Sequence, residues 1–169
     1  CAHTDLSILS FHPVKTITTG EGGAVLTNDD ALAARLRRLA SHGVERDPKN
    51  LQTRNAERGT RNPVPAWYYE MQDLGFNARI TDIQCALGLS QLKRLGAFKA
   101  RRQEIVVMYN RAFSGLAGEG GMILPPWPAG TDPCYHLYAA RVGASSPLGR
   151  DELFNRLRED GIHCQIHYI

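Results

Sequence analysis

Paired cysteines, long apolar runs and a surplus of one charge are all missing from this sequence, and each absence removes a class of protein. The four cysteines, Cys1, Cys85, Cys134 and Cys164, lie far apart and form no C-x-x-C pair. Neither a zinc ribbon nor a disulfide framework is indicated, and a reducing, cytoplasmic setting is expected. No apolar stretch approaches the roughly 18 residues of a membrane span, and the opening residues lack the basic-then-apolar pattern of a signal peptide, so a soluble, unexported protein is expected. Lys and Arg number 20 against 17 Asp and Glu, a net charge of +3. That falls short of the concentrated basic stripe a nucleic-acid binder needs, and no nucleic-acid partner is expected.

What is present is the composition of an ordinary folded domain: 169 residues, 43% hydrophobic and 22% charged, long enough to bury one sizeable core. The chain opens Cys1-Ala2-His3-Thr4-Asp5 without an initiator Met and closes on Gln165-Ile166-His167-Tyr168-Ile169, a β-branched and aromatic run with no turn signal after it. Both ends read as cuts through a larger protein.

Along the chain, residues 5–11 suit a short buried strand, broken by His12-Pro13. Gly20-Glu21-Gly22-Gly23 is a flexible turn into a second strand at 24–27. Asn28 or Asp29 is placed to cap a helix whose Leu32, Leu36 and Leu39 share one face and which Gly43 ends. Residues 44–65 are polar and rich in proline, a long loop. Thr81 and Gln84 have capping-box spacing, and the helix they start, 83–95, carries Leu and Ala on more than one face and is expected to be deeply buried. A further helix is predicted over about 97–116, with Gly88 and Gly96 as irregular points, then a strand at 136–142. A last helix, 150–160, stops at Gly161 and feeds a strand over 163–169. The order of elements is that of an α/β enzyme.

The richest segment chemically is Ser10-Phe11-His12-Pro13-Val14-Lys15-Thr16, followed by the glycine-rich turn. A lysine delivered just past a strand end is an amine nucleophile when its surroundings favour the neutral form, and a plain solvated lysine otherwise. Gly22 and Gly23 fit either a phosphate cradle made of backbone N–H groups or a simple turn. His163 and His167 are spaced by four, which on a strand sets them roughly 13 Å apart, too far for that pair alone to chelate; no metal is expected.

The stretch from Ser10 through Lys15 to Gly23 resembles the Schiff-base lysine segment of the DegT/DnrJ/StrS family of nucleotide-sugar aminotransferases. A second block, Leu74-Gly75-Phe76-Asn77-Ala78-Arg79-Ile80-Thr81-Asp82-Ile83-Gln84, continued by Ala86-Leu87-Gly88-Leu89-Ser90-Gln91-Leu92, is similar to that family's at a similar separation. A weaker echo is residues 161–169, which resemble a strand near the family's sugar-nucleotide pocket but lack the proline and histidine that usually continue it.

The resemblance implies an α/β fold of the aspartate-aminotransferase-like, fold type I class that uses pyridoxal 5'-phosphate, with residues 1–94 the C-terminal part of the large cofactor domain and 95–169 a truncated small C-terminal α/β domain. It implies that Lys15 forms the Schiff base and moves the proton, that Ser10 helps hold the cofactor phosphate, and that Asn77 reaches the phosphate of a neighbouring subunit's cofactor, hence a homodimer. His12, Arg79 and, on the last strand, His167 are the substrate-side candidates, while Arg and Lys residues of the 44–65 loop read as solvated. The expected substrates are glutamate and a UDP-linked 4-keto-6-deoxy sugar, in a route to surface polysaccharide or flagellin glycan. The motifs most resemble the branch that makes the 4-amino altrosamine precursor of pseudaminic acid. The dehydratase relatives carry histidine in place of the lysine, and Lys15 argues against them. The family's upstream phosphate loop, stacking aromatic and pyridine-pairing aspartate are outside these 169 residues, so the chain alone is expected to be inactive. The alternative is a non-catalytic binding or regulatory protein of the same fold.

Overall fold

Two compact units make up the computed structural model, which describes residues 3–52 and 64–167. One is built on Cys1–Pro13 and Ile17–Leu89, the other on Val14–Thr16 and Ser90–Ile169.

In the first unit, β1 (Ser7–Ser10) pairs antiparallel with β2 (Gly23–Leu26), Ser7 opposite Leu26 and Ser10 opposite Gly23. Glycine is required at 23 because a Cβ there would lie 2.8 Å from the Leu9 carbonyl oxygen. Helix α1 (Asp30–Ala40) starts where the Asp29 carboxylate accepts the Ala31 and Leu32 N–H groups at 2.8 and 3.0 Å, satisfying donors that the first turn leaves without intrahelical partners. It ends through His42 and Gly43, whose φ angles are +62° and +69°. The chain then forms β3 (Val44–Glu45), paired antiparallel with β4 (Glu70–Met71).

A backbone crossing joins the end of α1 to residues 72–78. Phe76 N–H donates to the Leu39 carbonyl at 2.7 Å, Ala78 N–H to Ala40 at 2.9 Å, and His42 N–H to the Phe76 carbonyl at 2.8 Å. Only glycine fits here: a Cβ on Gly43 would sit 1.8 Å from the Asp73 carbonyl oxygen, and one on Gly75 2.2 Å from the Gly43 nitrogen. The Arg38 guanidinium reinforces the join, with Nε 2.6 Å from Asp73 Oδ2 and Nη1 3.5 Å from Glu45 Oε2. Beside it Leu51 is wholly buried, and the buried Glu70 carboxylate accepts from Gln52 N–H, the Tyr68 hydroxyl and Gln72 Nε2.

Helix α2 (Asp82–Leu92) opens with the capping box. Gln84 Oε1 accepts the Thr81 N–H at 2.9 Å, and Gln84 N–H donates to Thr81 Oγ1 at 3.3 Å. Gly88 lets this helix approach Thr19, where a Cβ would come within 2.9 Å of the threonine methyl.

The second unit centres on α3 (Leu95–Ala112), followed after Phe113 by the short α4 (Ser114–Gly118). Val106 is buried, and Tyr109, Phe113 and Tyr138 pack with ring centroids 5.0 to 6.3 Å apart. Strand β5 (Met122–Ile123) pairs antiparallel with β6 (Arg141–Val142). Helix α5 (Arg150–Glu159) stops at Gly161, φ +78°, where the Ile162 N–H returns to the Leu157 carbonyl at 2.8 Å.

The capped helices and their glycine stops stand as the sequence indicates. Burial does not. Helix α2 has no buried residue, Ile83 is 83% exposed, and Ile8 on β1 is 80% exposed. Apolar residues on several faces record what a helix is suited to touch, and few neighbours within the described residues cover these faces. The strand expected at 136–142 narrows to Arg141–Val142, because only those residues meet β5. Residues 163–167 pair with no strand among the described residues, and 168–169 lie outside them. The loop expected from 44 begins instead with β3; its residues 53–63 lie outside the described residues.

Two substitutions test this framework by urea unfolding. Gly43→Ala loses about 2 kcal/mol or more, combining a left-handed backbone with a clash against main chain. Gln84→Ala loses about 1 kcal/mol through the capping box. Unchanged midpoints would show that these contacts carry no weight.

Candidate active site

The main chain of Phe11 closes the loop that carries Lys15. Its N–H donates to the Gly22 carbonyl at 2.8 Å, and its carbonyl accepts the Thr19 N–H at 3.0 Å and the Thr18 hydroxyl at 2.9 Å. Thr19, only 5% exposed, donates through Oγ1 to the Glu21 carbonyl at 2.7 Å, and Gln84 Nε2 donates to the same carbonyl at 2.8 Å. The neck of the loop is thereby tied both to the β1–β2 hairpin and to the start of α2. A Cβ on Gly22, φ +153°, would stand 2.4 Å from Thr19 Oγ1, so close packing against Thr19 accounts for that glycine, and the ladder contact accounts for Gly23.

Ser10 ends β1, exposed, and its Oγ accepts a long 3.4 Å hydrogen bond from the His12 N–H. His12 Nε2 lies 3.8 Å from Glu21 Oε1, both side chains well exposed. Asn77 and Arg79 form a second group in the same unit. Asn77 bridges Ser41 in antiparallel fashion, while Arg79 Nη1 donates to Ser41 Oγ at 3.0 Å. The crossing described above fixes both residues, and their side chains face solvent.

Lys15 is half-buried and packs with the second unit, as do Val14 and Thr16. It has no ion-pair partner among the described residues. The other groups around it there are basic. Helix α3 holds residues 132–136: Lys99 pairs with Asp132, Gln103 Nε2 donates to Asp132 Oδ1 at 2.9 Å and to the Pro133 carbonyl at 3.0 Å, and Arg102 Nη1 reaches the Tyr135 and His136 carbonyls at 3.3 and 3.4 Å. The hydrogen bond from Lys99, ahead of that from Gln103, holds the Asp132 carboxyl below its usual range. Tyr135 takes an unusual φ of +42°, its hydroxyl on the Pro126 carbonyl at 3.0 Å and its ring edge-on to Trp127.

Next to it, His136 is pushed below the ordinary histidine range by burial of its ring, then by the positive charges of Lys15, Arg102 and His167. The residue as a whole is exposed, so solvent screens part of that effect. His136 and Arg102 were not indicated by the sequence as site residues. Their neighbourhood depends on a contact between segments 34 residues apart, and Tyr135-His136-Leu137 reads only as strand.

An unpaired, half-buried amine on a loop of fixed neck, a hydroxyl at the strand end just before it, and an open carboxamide and guanidinium together make a donor set that fits an aldehyde-bearing phosphate. Among the described residues no group of three or more His, Cys, Asp or Glu is placed to hold a metal ion. No helix among them is long and apolar enough to cross a membrane.

Comparison with known proteins agrees with the donor set. The DegT/DnrJ/EryC1/StrS aminotransferase family model matches residues 1–169. A UDP-4-amino-4,6-dideoxy-N-acetyl-beta-L-altrosamine transaminase of Campylobacter jejuni is 35% identical over 164 residues, 97% of this chain and 38% of that protein. Among solved structures, Helicobacter pylori PseC, an aminotransferase involved in the biosynthesis of pseudoaminic acid, superposes with a TM-score of 0.80 at 29% identity, covering 98% of this chain and 39% of the other. Spr1654 of Streptococcus pneumoniae, solved in its PMP-form, gives 0.79 at 28% identity, covering 98% and 40%, and a PLP-form of it is also similar. The chain spans about 40% of the length of the curated relatives it matches. With the family model matching from end to end, this chain belongs to the DegT/DnrJ/EryC1/StrS aminotransferase family.

Proposed function

We propose that the protein transfers an amino group from glutamate to a UDP-linked 4-keto-6-deoxy sugar, in the making of a surface polysaccharide or flagellin glycan, with Lys15 as the residue that anchors pyridoxal phosphate. The observation that carries this reading is Lys15 itself, a half-buried lysine without an ion-pair partner among the described residues, on a loop with a hydrogen-bonded neck, in a chain of this family. The identity to the Campylobacter transaminase and the fold likeness to PseC support a sugar of the pseudaminic acid route.

Pyridoxal phosphate, when bound, supplies an aldehyde that condenses with an amine and a ring that takes up the electron pair of a breaking C–H bond. The chain's own residues do the rest. Lys15 Nζ is the tether and, once displaced by the incoming amine, the base that carries the proton between substrate carbons. Ser10 Oγ donates to a phosphate oxygen. Asn77, held open by the α1 crossing, donates to the phosphate in a second copy of the chain, which makes the working form a homodimer. His12, Arg79 and His167 take the substrate side. In this reading the fold is of type I, residues 1–94 complete the large domain, and 95–169 form the small one.

The test is to mix the full-length protein with pyridoxal phosphate, reduce with borohydride, digest and weigh the peptides. The expected result is a cofactor adduct on the peptide that contains Lys15, absent from Lys15→Ala, together with a loss of glutamate-dependent turnover of about 10³-fold or more in that variant. The 169 residues alone are expected to show no turnover. Binding of a UDP-sugar without any adduct in the full-length protein would instead establish a non-catalytic binding protein, a reading that the partial span of the chain keeps in view.

A further inference from the structure

Beyond the anchoring lysine, the second unit holds a histidine that nothing in the motif predicts. Three side chains of α3 grip residues 132–136 through five contacts: Lys99 to Asp132, Gln103 to Asp132 and Pro133, and Arg102 to Tyr135 and His136. Tyr135 is held in the left-handed region, pinned by its hydroxyl to Pro126 and by its ring to Trp127. A non-glycine residue held there costs about 1 kcal/mol or more, and such cost persists only where surrounding contacts over-determine the backbone. The next residue is His136, in the same unit as the Val14–Thr16 tip of the lysine loop.

We propose that His136 is a positioning residue for Lys15, set across from its amine by the grip of α3 on residues 132–136. This rests on the reading of Lys15 as the anchor. The groups facing the imidazole are Lys15 from the loop, Arg102 from α3 and His167 from the C-terminal segment, all basic. Lys99 and Asp132, further along α3 and the gripped segment, neutralise one another. In such surroundings a second positive charge is disfavoured, so the ring stays neutral at neutral pH and keeps one nitrogen as an acceptor. A Lys15 ammonium that donates to this nitrogen is turned toward a fixed point and not toward solvent. As pH falls, protonation of His136 removes the acceptor and sets two cations against each other, and capture of the aldehyde at Lys15 declines with it.

Two measurements on the full-length protein decide the matter. With ring-labelled histidine, NMR titration should place His136 below the ordinary value of about 6.5, and Lys15→Met should move it upward by a few tenths of a unit or more as a like charge is removed. In the borohydride trapping experiment with pyridoxal phosphate, His136→Phe should slow adduct formation at Lys15 about tenfold and lose the acid limb of its pH profile, while His136→Gln, a neutral acceptor of similar reach, should recover the rate to within about twofold. A His136 titration indifferent to Lys15→Met, or equal trapping rates and pH profiles in wild type and both variants, would overturn the proposal. Failure of the wild type to trap at Lys15 at all would remove the anchor reading instead, and the NMR comparison would still judge the pairing of the two side chains.

Discussion

Phe11 uses its main chain on both sides of one turn, donating to Gly22 and accepting from Thr18 and Thr19, and the candidate site has its shape because of it. A lysine five residues past a strand end has no defined place unless something closes the chain behind it. Here the closure is made of backbone groups, which any sequence supplies, and secured by side chains that few sequences supply together. Thr19 is buried against the Glu21 carbonyl, Gln84 reaches that carbonyl from the start of α2, and Gly22 leaves the space that Thr19 fills. The same Gln84 caps its helix, so one side chain both starts α2 and steadies the loop.

The second constraint is the glycine contact at Gly43 and Gly75. It brings the end of α1 against the segment that presents Asn77 and Arg79, and Arg38 and Asp73 lock it from the side. Asn77 is therefore displayed by main-chain bonds of its neighbours, Phe76 and Ala78. Its own side chain is left open for other use.

Local chemistry was legible in the sequence, and distant contact was not. The Asp29 cap, the Thr81 and Gln84 box and the Gly43 and Gly161 stops each depend on residues within a few positions, and each is where the pattern of the chain indicates. The lysine segment was legible because its order of Ser10, His12, Lys15 and glycines is unusual. Burial of α2 was misjudged because apolar residues on several faces of Ile83, Leu87, Leu89 and Leu92 state a preference and name no neighbour. His136 escaped notice for a related reason: its surroundings come from Lys15, Arg102 and His167, which no periodicity links.

The crossing at Gly43 also sets an order in time. The caps and the short hairpin bonds can form within their own stretches of chain, on the timescale of local events. Arg38 and Asp73 are 35 positions apart, and Glu21 and Gln84 are 63 apart, so their meeting waits on closing long loops whose entropy must be lost first. The loop that holds Lys15 acquires its final brace only when α2 arrives. Until then the amine rides on a hairpin that is already paired yet free to turn, and the chemistry of the protein is the last part of it to be assembled.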